Sequence, residues 1–286
     1  MTLTPKPSYP TYPPYHTGLY LEEYFFDFYQ RNIDRFSKLK REYMPIFWTN
    51  IYLNAGGDLT KAVFELQSVL NETLTPAGKY FTICQHDDAP MNVVPPNTMI
   101  FSAGGNKQGP GINPIPLICG PLAKQEKKEK EFLASFVGST THPVRSKMID
   151  VLKDKSDVYL STKGWENTMS VNCVEDFINA SLKSKFVLCP RGYGLSSFRL
   201  YEAMQLDAVP VYISDHFWKP FTYELTWDEF CVIIKEEEIP NLHSILQSIS
   251  DEKYESMKQK IEEVYENYFT MEGTCSKILQ RLEMES

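Results

Sequence analysis

The stretch from Lys185 to Asp215, KFVLCPRGYGLSSFRLYEAMQLDAVPVYISD, decides the fold. Its first apolar run, Phe186 to Cys189, has the length and bulk of a buried strand, and Pro190, Gly192 and Gly194 break it at once. Ser196 or Ser197 stands where a helix needs a cap, and after that helix the run AVPVYIS reads as another strand. Strand, glycine loop, helix and strand form the unit of a parallel α/β sheet, whose ligands bind at the carboxyl ends of the strands. Gly192 and Gly194 let backbone N–H groups approach an anion, and the helix start adds unpaired N–H groups and the positive end of its dipole. Arg191 lies in the loop and Arg199 at the beginning of the helix, and guanidinium suits bidentate contact with phosphate. Glu202 follows Arg199 by three residues on the same face; it either accepts from ribose hydroxyls or pairs with Arg199, a contact worth about 0.2–0.5 kcal/mol. Asp215 ends the second strand at the same edge. GYGLSS lacks the third glycine of a dinucleotide fingerprint and the Gly-Lys-Ser/Thr of a Walker loop, so taken alone it specifies an anion site.

The 286 residues are enough for two domains, and 42% hydrophobic residues give each a core. A formal charge of −8 argues against broad binding to nucleic acid, which needs a basic face. No window approaches 18 uninterrupted apolar residues, and MTLTPKPSYPTYPPYHTG has no apolar centre for a signal peptide. The expectation is a soluble, cytoplasmic protein with no transmembrane segment. Six cysteines stand singly, without a metal-binding spacing, and Cys84, Cys189 and Cys231 fall in apolar runs as buried thiols do.

Residues 1–17, with five prolines and three tyrosines, read as an extended arm. Residues 18–125 read as a first α/β domain. Its aromatic residues recur at helical spacing from Leu21, FWTNIYLN looks like its opening strand, DLTKAVFELQSVLNETL is an amphipathic helix, and KYFTIC and TMIFS are strands. Between Pro110 and Glu131 a turn-rich segment and the charge run QEKKEKEF mark the crossing between domains. Residues 126–265 form the second domain, opened by FLASFVGS and a helix carrying Arg145, and residues 266–286 a terminal helix folded back on the first.

Cys189, Pro190, Gly192, Ser197, Arg199, Glu202, Ala203, Pro210, Val211, Ser214 and Asp215 together resemble the donor-binding signature of the exostosin family of glycosyltransferases. The likeness continues upstream through Gly138 and Arg145, and downstream through Pro220, Phe221, Trp227, Phe230, Ile239 and Leu246. It covers roughly residues 132–257, and the N-terminal half matches loosely. The resemblance implies a GT-B fold, two Rossmann-like domains facing across a cleft, with a UDP-sugar on the second domain, a glycan acceptor beside the first, and inversion at the anomeric carbon. Family members from animals and plants usually carry an N-terminal membrane anchor.

Departure of a nucleoside diphosphate needs cations. The chain has no Asp-x-Asp with which to hold a metal, so Arg145, Arg191 and Arg199 with the helix N-terminus are expected to serve without one. The base is expected from the first domain. Gln85-His86-Asp87-Asp88 follows the strand YFTIC, and it also resembles a histidine-aspartate pair of exostosin-like proteins; Asp87 would take the acceptor proton, with His86 orienting it or replacing it. Asp-Asp-Ala-Pro is equally ordinary turn chemistry. Tyr212, His216 and Trp218 stand near the same edge, as ligand contacts or loop packing. The expected activity is an inverting, metal-independent hexosyl- or pentosyltransferase. The rival reading is a catalytically silent module that binds a nucleotide or glycan.

Overall fold

The computed structural model describes residues 4, 20–53, 55, 58–118, 120–163 and 171–285. Nearly all of the expected proline-rich arm lies outside the described residues.

The first unit comprises helix α1 (Leu21–Arg31), the short α2 (Ile33–Phe36), α3 (Trp48–Leu53) and α4 (Leu59–Thr73), with strands β1 (Glu42–Tyr43), β2 (Tyr80–Cys84), β3 (Met99–Ser102) and β4 (Ile112–Pro114). The four strands are parallel in the order β1-β2-β3-β4. Helix α1 buries Leu21, Phe25 and Phe28, spaced i, i+4 and i+7, and carries Glu22 and Glu23 in its first turn and Arg31 in its last, as the helix dipole favours. The Asp58 side chain accepts from Lys61 N at 2.9 Å to start α4.

The second unit alternates strand and helix: β5 (Phe132–Ser139), α5 (Pro143–Leu152), β6 (Val158–Lys163), α6 (Val171–Leu182), β7 (Ser184–Pro190), α7 (Phe198–Gln205), β8 (Val209–Ile213) and β9 (Val232–Ile234). Helices α8 (Leu242–Gln247), α9 (Asp251–Tyr268) and α10 (Met271–Glu283) complete it. All five strands are parallel, in the order β6-β5-β7-β8-β9. The chain leaves β5 toward one side and returns to β7 on the other, so the switch point of this doubly wound sheet lies between the carboxyl ends of β5 and β7. Two parallel α/β sheets whose carboxyl edges face each other make up the GT-B architecture.

Two local expectations change. FWTNIYLN forms helix α3, because Trp48 and Tyr52, one turn apart, both turn inward and the buried Glu22 carboxylate accepts from Thr49 N at the start of the helix. The edge strand is instead Glu42–Tyr43, paired with Tyr80 and Phe81. Part of the segment read as a crossing is strand β4, with Pro114 tolerated because it lies on an edge strand.

The units meet at their carboxyl edges. Trp218, buried, donates its indole N–H to Ser102 O at 3.2 Å, and a Cβ on Gly105 would stand 2.9 Å from the indole ring. At the far end α10 returns to α1, with Arg31 to Glu272 at 3.2 Å, Arg35 to Glu283 at 2.9 Å and Tyr24 Oη donating to Glu272 at 2.8 Å. Among the described residues no helix is long and apolar enough to cross a membrane. Truncating Trp218 to alanine empties the centre of the seam, and urea denaturation should show a loss of about 3–5 kcal/mol; a change below about 1 kcal/mol would mean that the indole only covers the joint.

Candidate functional site

The switch point is built from arginines around one aromatic ring. The Phe136 ring stands 6.0 Å from the Arg145 guanidinium carbon and 5.7 Å from that of Arg199, which also lies 5.8 Å from the Phe177 ring. Arg145, on the first turn of α5, donates Nη1 to Ser139 O at 2.9 Å, Nε to Arg191 O at 3.1 Å and Nη2 to Pro190 O at 3.4 Å. It therefore ties the end of β5 to the end of β7. Burial, and then the Arg199 charge, push its pKa down to about 9. Arg199 donates Nε to Val137 O at 2.9 Å and lies over the β5 backbone, where a Cβ on Gly138 would come within 2.5 Å of Nη2. Gly192 is short for a like reason, since its Cβ would stand 3.0 Å from Arg145 Nη2. Among the described residues no carboxylate lies within 4.0 Å of Arg145, Arg191 or Arg199.

The glycine loop faces the first unit at contact distance. Leu195 N and Ser196 N both donate to Gly104 O, at 3.0 and 3.2 Å. A Cβ on Gly194 would sit 2.1 Å from Asp87 Oδ1, and one on Gly104 would sit 2.1 Å from Asp87 Cα. The N–H groups of Gly192, Tyr193 and Gly194 donate to no backbone acceptor among the described residues. Arg191 curls over its own loop, with Nη2 to Tyr193 O at 3.1 Å. From the first unit, Asp87 enters beneath the loop. Burial and the Asp88 charge push its carboxyl up to about 6, with Arg191 opposing. His86 sits edge-on to Tyr52 with ring centroids 5.2 Å apart, accepts from Asp88 N at Nδ1, and is held below its ordinary pKa by burial.

The remaining expected residues take other places. Ser197 occupies the cap position of α7 without a side-chain capping bond, and Ser196 Oγ is buried with no hydrogen-bond partner among the described residues. Glu202 is buried on the wall of a cavity of about 860 Å³ under the crossing segment, shared with Leu117, Tyr201 and Gln205, whereas Arg199 points to β5. Asp215 Oδ1 accepts from Glu236 N at 2.9 Å. Tyr212 donates to Leu195 O at 2.6 Å and accepts from Trp218 N at 2.9 Å, so both aromatic residues serve the seam. Sequence reasoning passed over Asp88 and Tyr193, which span the units: Tyr193 Oη donates to Asp88 Oδ1 at 3.1 Å, and Asn106 Nδ2 donates to the same oxygen at 3.0 Å. The signal was the tyrosine between Gly192 and Gly194. Among the described residues no group of three His, Cys, Asp or Glu side chains is placed to share a metal ion.

The Exostosin GT47 domain family matches residues 102–249, just over half of the chain, and takes in the arginines, the glycine loop and Asp215. The chain belongs to this family. The Arabidopsis thaliana protein Probable glycosyltransferase At5g25310 is 34% identical over 139 residues, 49% of this chain and 28% of that protein. Exostosin-1 of Mus musculus is 26% identical over 237 residues, 78% of this chain and 29% of that protein. The chain thus spans less than a third of the length of these curated relatives. Among solved structures, TarM aligns with a TM-score of 0.41 at 11% identity, over 77% of this chain and 58% of that one, too slight a likeness to carry any inference.

Because the folded pKa of Asp87 lies above its ordinary 3.8, its contribution to stability is full below about pH 4 and is lost as pH rises through about 6. Asp87→Asn should accordingly be more stable than the parent at pH 7.5, by on the order of 1–3 kcal/mol, with the gain vanishing near pH 3.5. Urea titrations at the two pH values check this, and a variant destabilised at pH 7.5 would contradict it.

Proposed function

We propose that the site moves a hexosyl or pentosyl group from a UDP-sugar to a hydroxyl of a glycan, with inversion and without a metal ion. The observation that carries the reading is charge without a carboxylate in ion-pair contact among the described residues: three arginines at the switch point, held by backbone carbonyls, opposite a buried carboxyl raised toward neutrality. A diphosphate supplies the missing negative charge. The N–H groups of Gly192, Tyr193 and Gly194 and the start of α7 add donors to it. The choice of UDP follows from the family resemblance.

In the reaction the bond from the anomeric carbon to the diphosphate oxygen breaks, and a bond from that carbon to the acceptor oxygen forms on the opposite face. The acceptor proton passes to Asp87. The leaving diphosphate keeps the electron pair and is neutralised by Arg191 and Arg199, while Arg145 holds the two strand ends in place. A carboxyl with pKa near 6 is largely ionised at neutral pH and still basic enough to be useful. His86 is the other candidate base; with Nδ1 accepting from Asp88 N its proton sits on Nε2, so it takes the acceptor proton only when that bond is released. Asp215 and Glu202, whose carboxylates face away from the arginines, would bear on the nucleoside and on the stability of α7.

Asp87→Asn should lower turnover by about 10²–10⁴-fold and change the dissociation constant for UDP far less, because the proposed nucleotide contacts lie on the other sheet. Near-parent turnover moves the base to His86, and a wholly inactive parent across a panel of UDP-sugars that nevertheless shift its melting temperature favours the silent binding module. For Arg199→Ala, calorimetry should record UDP binding weakened by about 1.5–3 kcal/mol, one charge-assisted contact. Turnover should also survive EDTA; loss on chelation and recovery with manganese would require a metal route.

A further inference from the structure

The loop bearing His86 and Asp87 is fastened at its root by a buried acid. Glu22, in the first turn of α1, is 1% exposed. Its Oε1 accepts from Gln85 N at 2.8 Å and from Thr49 Oγ1 at 2.7 Å, and Thr49 N lies 3.0 Å from Oε2. The Gln85 side chain is held as well, since Oε1 accepts from Leu21 N and Nε2 donates to Ile118 O, each at 2.7 Å. Gln85 thus spends its N–H and both ends of its amide on α1 and the crossing segment, and Asp87 emerges two residues later. A buried acid, costly to ionise, stands here where an acceptor that does not titrate would serve. The titratable groups that act on it are Glu23 in the same turn, Tyr43 on β1, Tyr52 on α3 and Cys84 on β2.

We propose that Glu22 is a positioning residue for Asp87: its carboxylate, through Gln85 N–H and Thr49, sets how Asp87 stands against Gly194, so that the surroundings of Asp87 follow the ionisation of Glu22. The catalytic meaning rests on Asp87 being the base. Burial and Glu23 push Glu22 up to about 8, against the pull of the donors from Gln85 and Thr49, which places the change within working pH. A glutamate raised in this way stabilises the fold fully below about 4.5 and loses that contribution as pH rises through about 8. Glutamine at position 22 keeps a neutral side chain of the same shape and suffers no such loss.

Carboxyl-carbon NMR of the full chain labelled at aspartate, with Asp87→Asn to assign the signal, reads the coupling without any substrate. The parent Asp87 signal should show its own step near pH 6 and a second near pH 8, and Glu22→Gln should lose only the second. The turnover of the parent should likewise change several-fold between pH 7 and 9, and that of Glu22→Gln should not. A second step that persists in Glu22→Gln, or that is missing from the parent, overturns the proposal whatever Asp87→Asn does. A fully active Asp87→Asn instead overturns the reading of Asp87 as base, and the NMR steps, which need no turnover, tell the two failures apart. Should Glu22→Gln not fold, Thr49→Val removes one donor to the carboxylate and should move the second step to higher pH; a step that stays in place counts against the coupling.

Discussion

The closest approach of the two sheets centres on one carbonyl. Gly104 O receives the N–H groups of Leu195 and Ser196, and this brings the backbone of one unit so close to that of the other that neither Gly104 nor Gly194 has room for a side chain. Everything functional is arranged around that approach. Asp87 is pressed beneath the glycine loop because the loops are in contact, and its raised pKa follows from the water excluded there. Tyr212 and Trp218 hold the joint from behind, and Tyr193 with Asp88 closes it at the front.

The same economy governs the arginines. Backbone carbonyls and aromatic faces orient Arg145 and Arg199 without cancelling their charge. A carboxylate partner would have fixed them as firmly but would have competed with an anionic ligand. Burial, and after it the repulsion of Arg199, depress the pKa of Arg145, and an anion at this place would offset both.

The second unit was legible because its signals are local. Short apolar runs broken by glycine and proline mark each strand end, and β5, α5, β7, α7 and β8 fall where those breaks put them. The first unit was less so. FWTNIYLN has strand-like composition, and its helix depends on Glu22, 27 residues away in sequence from Thr49. The strand β1 is two residues long, too short for any period to show. At the candidate site, residue types brought the glycine loop and the three arginines to one strand edge, where they stand, but gave no directions. Arg199 and Glu202 share a face by count, yet one turns to β5 and the other to the crossing segment, because helix α7 is wedged between two different neighbours. The seam contacts join residues about a hundred positions apart, such as Tyr193 with Asp88 and Trp218 with Ser102, and no spacing rule reaches that far.

The return of α10 to α1 has a bearing on how the chain is made. Arg35 and Glu283 are 248 residues apart, so α1 leaves the ribosome long before the helix that covers it. At about 5–20 residues per second the interval is roughly ten to fifty seconds, during which Tyr24, Arg31 and Arg35 lack their partners on α10. Folding therefore cannot close unit by unit from the N-terminus. All five strands of the second sheet are on the chain before α10 is made, so that sheet can form while α1 still waits for the helix that covers it.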